Sequence, residues 1–242
     1  MIQTIYYIIL IYFLLGGIAF YFINRKKEPA VARESYTKFG VYFLIINALF
    51  FSITINSLAF HFIAVFIIAG GLLELIGLYR SSGFRNKNFF LFSVVVFVVL
   101  SIGFFSFSGF DKGLILFSFL VLSIFDSFSQ ITGQLWGRKK LFPEISPKKT
   151  VGGLVGGTLV ALVSSFLLKD LYAGSTVSAL VLAVGVIAFA FAGDLSASFY
   201  KRKFGVKDYS KLIPGHGGLL DRFDSLIAGG AWVALYVQLF SI

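Results

Sequence analysis

Five residues suited to acid, base or phosphate chemistry fall within eighteen positions near the C-terminus. They are Asp208, His216, Asp221, Arg222 and Asp224, in KDYSKLIPGHGGLLDRFD at 207–224. Asp221 and Asp224 stand three apart, so a helix starting here would put both carboxylates on one face with Arg222 beside them. Pro214 fixes a backbone angle, and Gly217 and Gly218 permit close approach, so the turn could offer N–H groups to a phosphate. Acids at a helix start also serve as plain caps, and both readings stand at this point. Hard cations such as Mg²⁺ bind one or two carboxylates and complete their shell with substrate phosphates. Carboxylates, cations and glycines in one stretch therefore suit phosphoryl or nucleotidyl transfer. His216, flanked by glycines, could donate to a phosphate or carry a proton.

Two further clusters have related chemistry. In DLSASFYKRK (194–203), Asp194 precedes Ser198, Lys201 and Arg202, which sets ligand oxygens beside phosphate-binding cations. In RKKLFPEISPKKTVGGLVGG (138–157), Ser146, Lys148, Lys149 and Thr150 stand just before a glycine-rich helix start, a polyphosphate-binding pattern. The glycines of GGLVGG are better explained as a close helix-packing face. Glu74, Asp126 and Asp194 fall toward one end of apolar runs, where acids are costly and usually functional. His61, inside an apolar run, reads as a satisfied intramembrane histidine.

The elements that must position these residues are apolar. The chain of 242 residues is 58% hydrophobic and only 13% charged, more apolar surface than a water-soluble domain can hide. Runs long enough to cross a bilayer fall at 4–23, 39–55, 58–79, 89–107, 113–130, 151–168, 175–193 and 226–242. Their length favours helices over barrel strands, so the expected fold is an all-α, multi-pass bundle of about eight spans. The first run lacks a basic start and reads as a retained helix. With no cysteine, disulfides and thiolate metal sites are excluded.

Charge gives the orientation. Nineteen of the 21 basic residues lie in the connections 24–38, 80–88, 137–150 and 194–225; Lys112 and Lys169 are the other two. Eight spans put all four basic connections on one side, which the positive-inside rule places in the cytoplasm. Basic loops beside anionic head groups account for much of the net charge of +10 without nucleic acid. No repeat is visible, and residues 1–242 read as a single integral membrane domain. Its N-terminal helices occupy 1–110, and 111–242 carries the catalytic helices and loops.

SFYKRKFGVKDYSKLIPGHGGLLDRFD resembles the signature of the phosphatidate cytidylyltransferase family, also called CDP-diacylglycerol synthases. The matching positions are Ser198, Lys201, Arg202, Lys207, Asp208, Pro214, His216, Gly217, Gly218, Asp221, Arg222 and Asp224. SPKKT is similar to a second family block, although Val151 and Gly152 replace its usual Trp-Glu. Tyr200 stands where the family has an aliphatic residue or Phe, and the segment from Asp126 is a loose match. Residues 120–242 carry the resemblance; earlier only LLELIGLYR, with Glu74, matches.

The resemblance implies transfer of CMP from CTP to phosphatidate, Mg²⁺ dependence and a polar cavity open to the cytoplasm. It also implies that Asp194 and Asp221 are the first metal carboxylates, with Asp208 and Asp224 as further ligands or as partners of the cations. Lys148, Lys149, Lys201, Arg202, Lys207 and Arg222 would bind phosphate, with Ser198, His216, Gly217 and Gly218 as polar contacts. Membrane lipid is an expected partner, and a homodimer is left open. The nearest rivals are a polyprenol or phytol kinase and a cytidylyltransferase for archaeal ether lipids. An ion-coupled transporter fits less well, since its acids would spread through the bilayer depth and between repeats.

Overall fold

The computed structural model describes residues 2–25, 27–172 and 174–240. Lys26, in the first basic connection, and residues 241–242, at the end of the eighth expected span, lie outside the described residues. Among the described residues eight α-helices follow one another: α1 Ile2–Asn24, α2 Pro29–Ile55, α3 Ser57–Ser81, α4 Lys87–Ser108, α5 Lys112–Trp136, α6 Val151–Leu167, α7 Thr176–Lys203 and α8 Leu220–Phe240. Between α5 and α6, β1 (Lys140–Phe142) and β2 (Ser146–Thr150) form an antiparallel hairpin. A 3₁₀ turn at Lys169–Leu171 precedes α7.

Each expected apolar run corresponds to one helix. Six helices, α2–α5, α7 and α8, are long and apolar enough to cross a membrane; α6 and the Ile2–Ile18 part of α1 are apolar but shorter. Several starts are fixed by side-chain caps. Asn56, Asp111, Thr150 and Ser175 accept backbone N–H bonds at the beginnings of α3, α5, α6 and α7, satisfying donors that a helix start leaves free.

The helices extend past the apolar runs where polar residues are held by neighbours. α2 begins at Pro29 rather than 39, α5 continues to Trp136, α7 to Lys203, and α8 begins at Leu220 rather than 226. Hydropathy marks only the lipid-facing part of a helix; hydrogen bonding continues beyond it. Asp194, Ser198, Lys201, Arg202, Asp221, Arg222 and Asp224 therefore ride on helices. The hairpin at 140–150 has no hydropathy signal and was not expected.

The core lies toward the C-terminal helices. In their most apolar windows, 56% of α5 and of α8 is buried, against 17% of α4. The remaining apolar surface faces outward, with Leu44, Phe62, Phe66, Phe92 and Val99 all more than 60% exposed, as lipid-facing side chains should be. α5 packs on α6, and α8 packs on α7 and α4. The GGLVGG face lies on α5 as expected: a Cβ on Gly153 or Gly157 would fall within 3 Å of Ser129, and one on Gly156 would meet Thr132.

The helices alternate in direction. At one end Lys38, Glu74, Lys149 and Arg202 meet Gly215, Leu219, Asp194 and Ile145. At the other, Gln3, Thr54, Asp111, Lys112 and Asp170 line a cavity of about 500 Å³. Every motif identified in the sequence lies at the first end.

Candidate active site

The site is built from both halves of the chain. α7 and α8 cross closely at Gly193, where a Cβ would lie 2.6 Å from that of Ala228 and 2.9 Å from the Asp224 carbonyl oxygen. That approach brings Asp194, the next residue on α7, into electrostatic contact with Asp224, and Asp126 of α5 interacts with both. Asp126 is exposed by surface area although protein crowds around it. Three carboxylates from three helices thus lie within electrostatic reach of one another.

Cations surround them. Lys149 Nζ lies 2.8 Å from Asp194 Oδ2 and 4.1 Å from the centre of the Phe191 ring. Ser198, one turn on from Asp194 and buried, donates to its Oδ1 at 3.4 Å. Lys201 is buried beside Asp221, with Nζ 2.5 Å from Oδ1, and its charge reaches Asp224. Arg222, exposed at the start of α8, acts electrostatically on Asp126 and donates Nε to the His216 carbonyl at 3.4 Å.

The loop 204–219 is an ordered strap. The second oxygen of Asp221 accepts the N–H groups of Tyr209 and Gly218, each at 2.8 Å. Glu74 of α3, also buried, accepts from Ser210 Oγ at 2.7 Å, from Leu219 N at 2.9 Å and from Leu220 N at 2.8 Å. A carboxylate at this helix start suits the partial positive charge there. Gly217 has φ +84°, and a Cβ on it would meet Asp221 Oδ2 at 2.6 Å; one on Gly218 would sit 2.2 Å from Glu74 Oε1. The two glycines of the turn make room for the carboxylates that hold it. Tyr209 is buried, stacks on Tyr200 and donates its hydroxyl to the Ala197 carbonyl at 3.1 Å. Burial first, then the Asp224 charge, pushes that hydroxyl well above the usual phenol range, so it stays protonated.

The geometry shows what each of these residues bonds to in this structure. Asp221, expected as a metal carboxylate, has both oxygens engaged by Lys201, Tyr209 and Gly218. The Gly218 N–H, expected to face phosphate, is taken by Asp221. Lys148 and Lys149 are successive residues of a strand and point to opposite sides, so Lys149 reaches Asp194 while Lys148 is exposed. Arg202 uses its guanidinium on the carbonyls of Ile145 (3.1 Å) and Val206 (2.7 Å), bracing the hairpin against the end of α7. Asp208 and Lys207 are exposed at the rim, with Lys207 in the field of Glu34. His216 is half-buried; burial, then Arg222 and Lys38, lower its pKa, so the ring is neutral near pH 7. His61 does what its setting implied, sharing a 2.8 Å hydrogen bond with Ser108.

Asp126 and Glu74, noted in the sequence but given no role in the signature, belong to the site, as does Tyr209. The first two had a signal, as acids interrupting apolar runs; Tyr209 had none.

A family model described as the Cytidylyltransferase family matches residues 1–240. The chain belongs to the cytidylyltransferase family. Among relatives named phosphatidate cytidylyltransferase, that of Staphylococcus saprophyticus is 40% identical over 152 residues, 59% of this chain and 58% of the relative. That of Haemophilus influenzae is 40% identical over 121 residues, 48% of this chain and 42% of the relative. The matched stretch thus spans about half the length of these two. The Rickettsia prowazekii protein is 30% identical over 219 residues, covering 85% of this chain and 94% of the relative.

Two departures of this cytidylyltransferase-family chain from the signature blocks have structural reasons. Gly152 lies against Trp136, where a Cβ would be 3.0 Å from the carbonyl oxygen, so a larger residue there would press on the end of α5 by a few tenths of an ångström. The added hydroxyl of Tyr200 donates to the Leu75 carbonyl at 2.8 Å, joining α7 to α3 one residue beyond Glu74.

Proposed function

We propose that the protein transfers CMP from CTP to phosphatidate, releasing pyrophosphate and forming CDP-diacylglycerol at the cytoplasmic face of the cell membrane. The observation that carries this reading is the meeting of Asp126, Asp194 and Asp224 with Lys149, Lys201 and Arg222 at one end of the bundle, in a chain of this family. A phosphate oxygen of phosphatidate attacks the α-phosphorus of CTP. A P–O bond forms there, the bond to the β-phosphate bridging oxygen breaks, and pyrophosphate leaves with that electron pair. The nucleophile is already anionic and needs no general base; the obstacle is repulsion between two polyanions.

The carboxylate set fits Mg²⁺. All donors are hard oxygens, and three mutually repelling acids are relieved by a cation. Among the described residues no three metal-ligating side chains are close enough to hold an ion by themselves. One or two of Asp126, Asp194 and Asp224 would hold it, with substrate phosphates completing the shell. When bound, Mg²⁺ would neutralise phosphate charge and polarise the α-phosphate. Lys149 and Lys201, each held against a carboxylate and an aromatic ring, present ammonium groups to the phosphates in fixed positions. Asp221 acts as a positioning residue through Lys201. In this reading the substrates meet beside Asp126, and the clustering of basic residues in the connections at this end supports a cytoplasmic side for it.

The test is an assay of purified protein in detergent with phosphatidate and labelled CTP, with and without Mg²⁺. Metal-dependent CDP-diacylglycerol, cut by ~10²–10³-fold in Asp126→Asn and in Asp224→Asn, is expected. Folded protein that transfers no CMP to phosphatidate would overturn the reading. Full activity in both variants would remove the acid cluster from it.

A further inference from the structure

All the motif residues expected to bind substrate lie in the C-terminal half, yet α2 forms part of the wall around them. The stem of Lys38 lies along the turn before His216: a Cβ on Gly215, which has φ +74°, would be 2.8 Å from Lys38 Cγ. The Lys38 charge acts on His216, as does that of Arg222, whose Nε is bonded to the His216 carbonyl. Three elements, α2, the strap and α8, thus bring Lys38, His216 and Arg222 to one rim. Tyr42, one turn further along the same face of α2, lies close enough to Ser127, Asp126 and Arg222 to interact with them. The α2 face therefore runs from the rim at Lys38 to the acid cluster at Asp126.

We propose that Lys38 is a substrate-binding residue, which with Arg222 receives a phosphate group entering the site, and that Tyr42 lines the path inward. The ligand chemistry is a phosphate monoester or polyphosphate, present both in the lipid headgroup and in the nucleotide tail. The proposal rests on the nucleotidyl-transfer reading above. In the present structure Lys38 is paired with Glu34 at 2.5 Å, with side chains 47% and 62% exposed. A pair this open contributes little, and a multiply charged phosphate beside Arg222 is a stronger partner. Glu34 is therefore a competitor that the substrate displaces. Sequence motifs gave no hint of this, because the first 110 residues match the family only in hydropathy and around Glu74.

The experiment compares wild type, Lys38→Ala and Glu34→Gln in detergent. KM for CTP is measured at saturating phosphatidate, and KM for phosphatidate at saturating CTP. Lys38→Ala should raise one of the two by about tenfold, the scale of one charge-assisted contact, with a much smaller change in kcat. The KM that moves identifies the lipid or the nucleotide as the source of the phosphate. Glu34→Gln should lower that same KM, a gain that a merely structural role for Lys38 would not produce. Both KM values unchanged in both variants, or a fall in kcat and thermal stability alone, would overturn the proposal. A second readout needs no turnover: equilibrium binding of labelled CTP, and of nanodiscs with and without phosphatidate. If wild type transferred no CMP, the reaction assignment would fail. Weaker binding of either probe by Lys38→Ala would still support the site, and unchanged binding of both would sink it.

Discussion

The two ends of the bundle use the same residue types in opposite ways. At the far end, Asp111 caps its own helix by accepting from Gly113, and Lys169 lies over the ring of Phe166, three residues earlier. At the motif end, charged groups bond across the chain: Lys149 to Asp194, Lys201 to Asp221, and Glu74 to Leu219, 145 residues away. A charge bonded to its neighbours shapes one helix terminus and is easily replaced. A charge bridging distant elements fixes their relative position, and its loss leaves a buried partner unsatisfied. Long-range bonds thus mark the centre of the site, while its rim also holds local pairs such as Glu34 with Lys38.

Substitutions at the two ends should differ accordingly. The largest effect is expected from Asp221→Asn, which strands the buried Lys201 ammonium. Breaking such a pair costs about 3–5 kcal/mol, read as a lowered midpoint of thermal unfolding in detergent, and CMP transfer should fall with it. A Lys201→Met, Asp221→Asn double variant should lose less than the sum of the single losses; strict additivity would show that the two are not coupled. Glu74→Gln comes next. It turns an amide N–H₂ toward donors of the strap and should cost about 2 kcal/mol, with raised proteolytic sensitivity confined to 204–219. Uniform destabilisation without local cleavage would mean that Glu74 does not clamp the strap.

A smaller effect follows from His216. Its folded-state pKa is below the ordinary 6.5, so the unfolded chain binds the proton more readily. The stability this contributes is present above about pH 6.5 and is lost as pH falls toward the folded value. His216→Gln should flatten the decline of the unfolding midpoint over that window; an unchanged profile would assign the decline to other groups. Smallest is Asp111→Ala at the far end, about 1 kcal/mol for a helix cap, with CMP transfer retained. A large loss of activity there would erase the contrast between the ends.

Much of the fold was legible because lipid imposes a simple rule: apolar runs of sufficient length become helices, and each of the eight did. The polar extensions were not, since the rule ends at the membrane surface. That is why α7 and α8 reach into the motif region and α2 reaches Lys38. In the site, residue types identified the cluster, but spacing could not assign its partners. Asp221 and Asp224 stand three apart on one helix, yet the first pairs with Lys201 and strap N–H groups, while the second faces Asp194 and Asp126. The split depends on the crossing at Gly193 and on the folding back of the strap, both tertiary facts. The pair Lys148 and Lys149 shows the same limit: adjacent in sequence, they are parted by a hairpin that hydropathy does not register.

The clamp between Glu74 and the first turn of α8 also bears on how the protein is made. Synthesis runs from the N-terminus, so α3 emerges well before the strap and the last helix that dock on it. The partner of Lys201 and the third acid of the cluster both lie on that last helix. The complete set of charges therefore comes together only once α8 has been made. A chain cut short before α8 would lack the partner of Lys201, the third acid of the cluster and the helix start on which Glu74 docks.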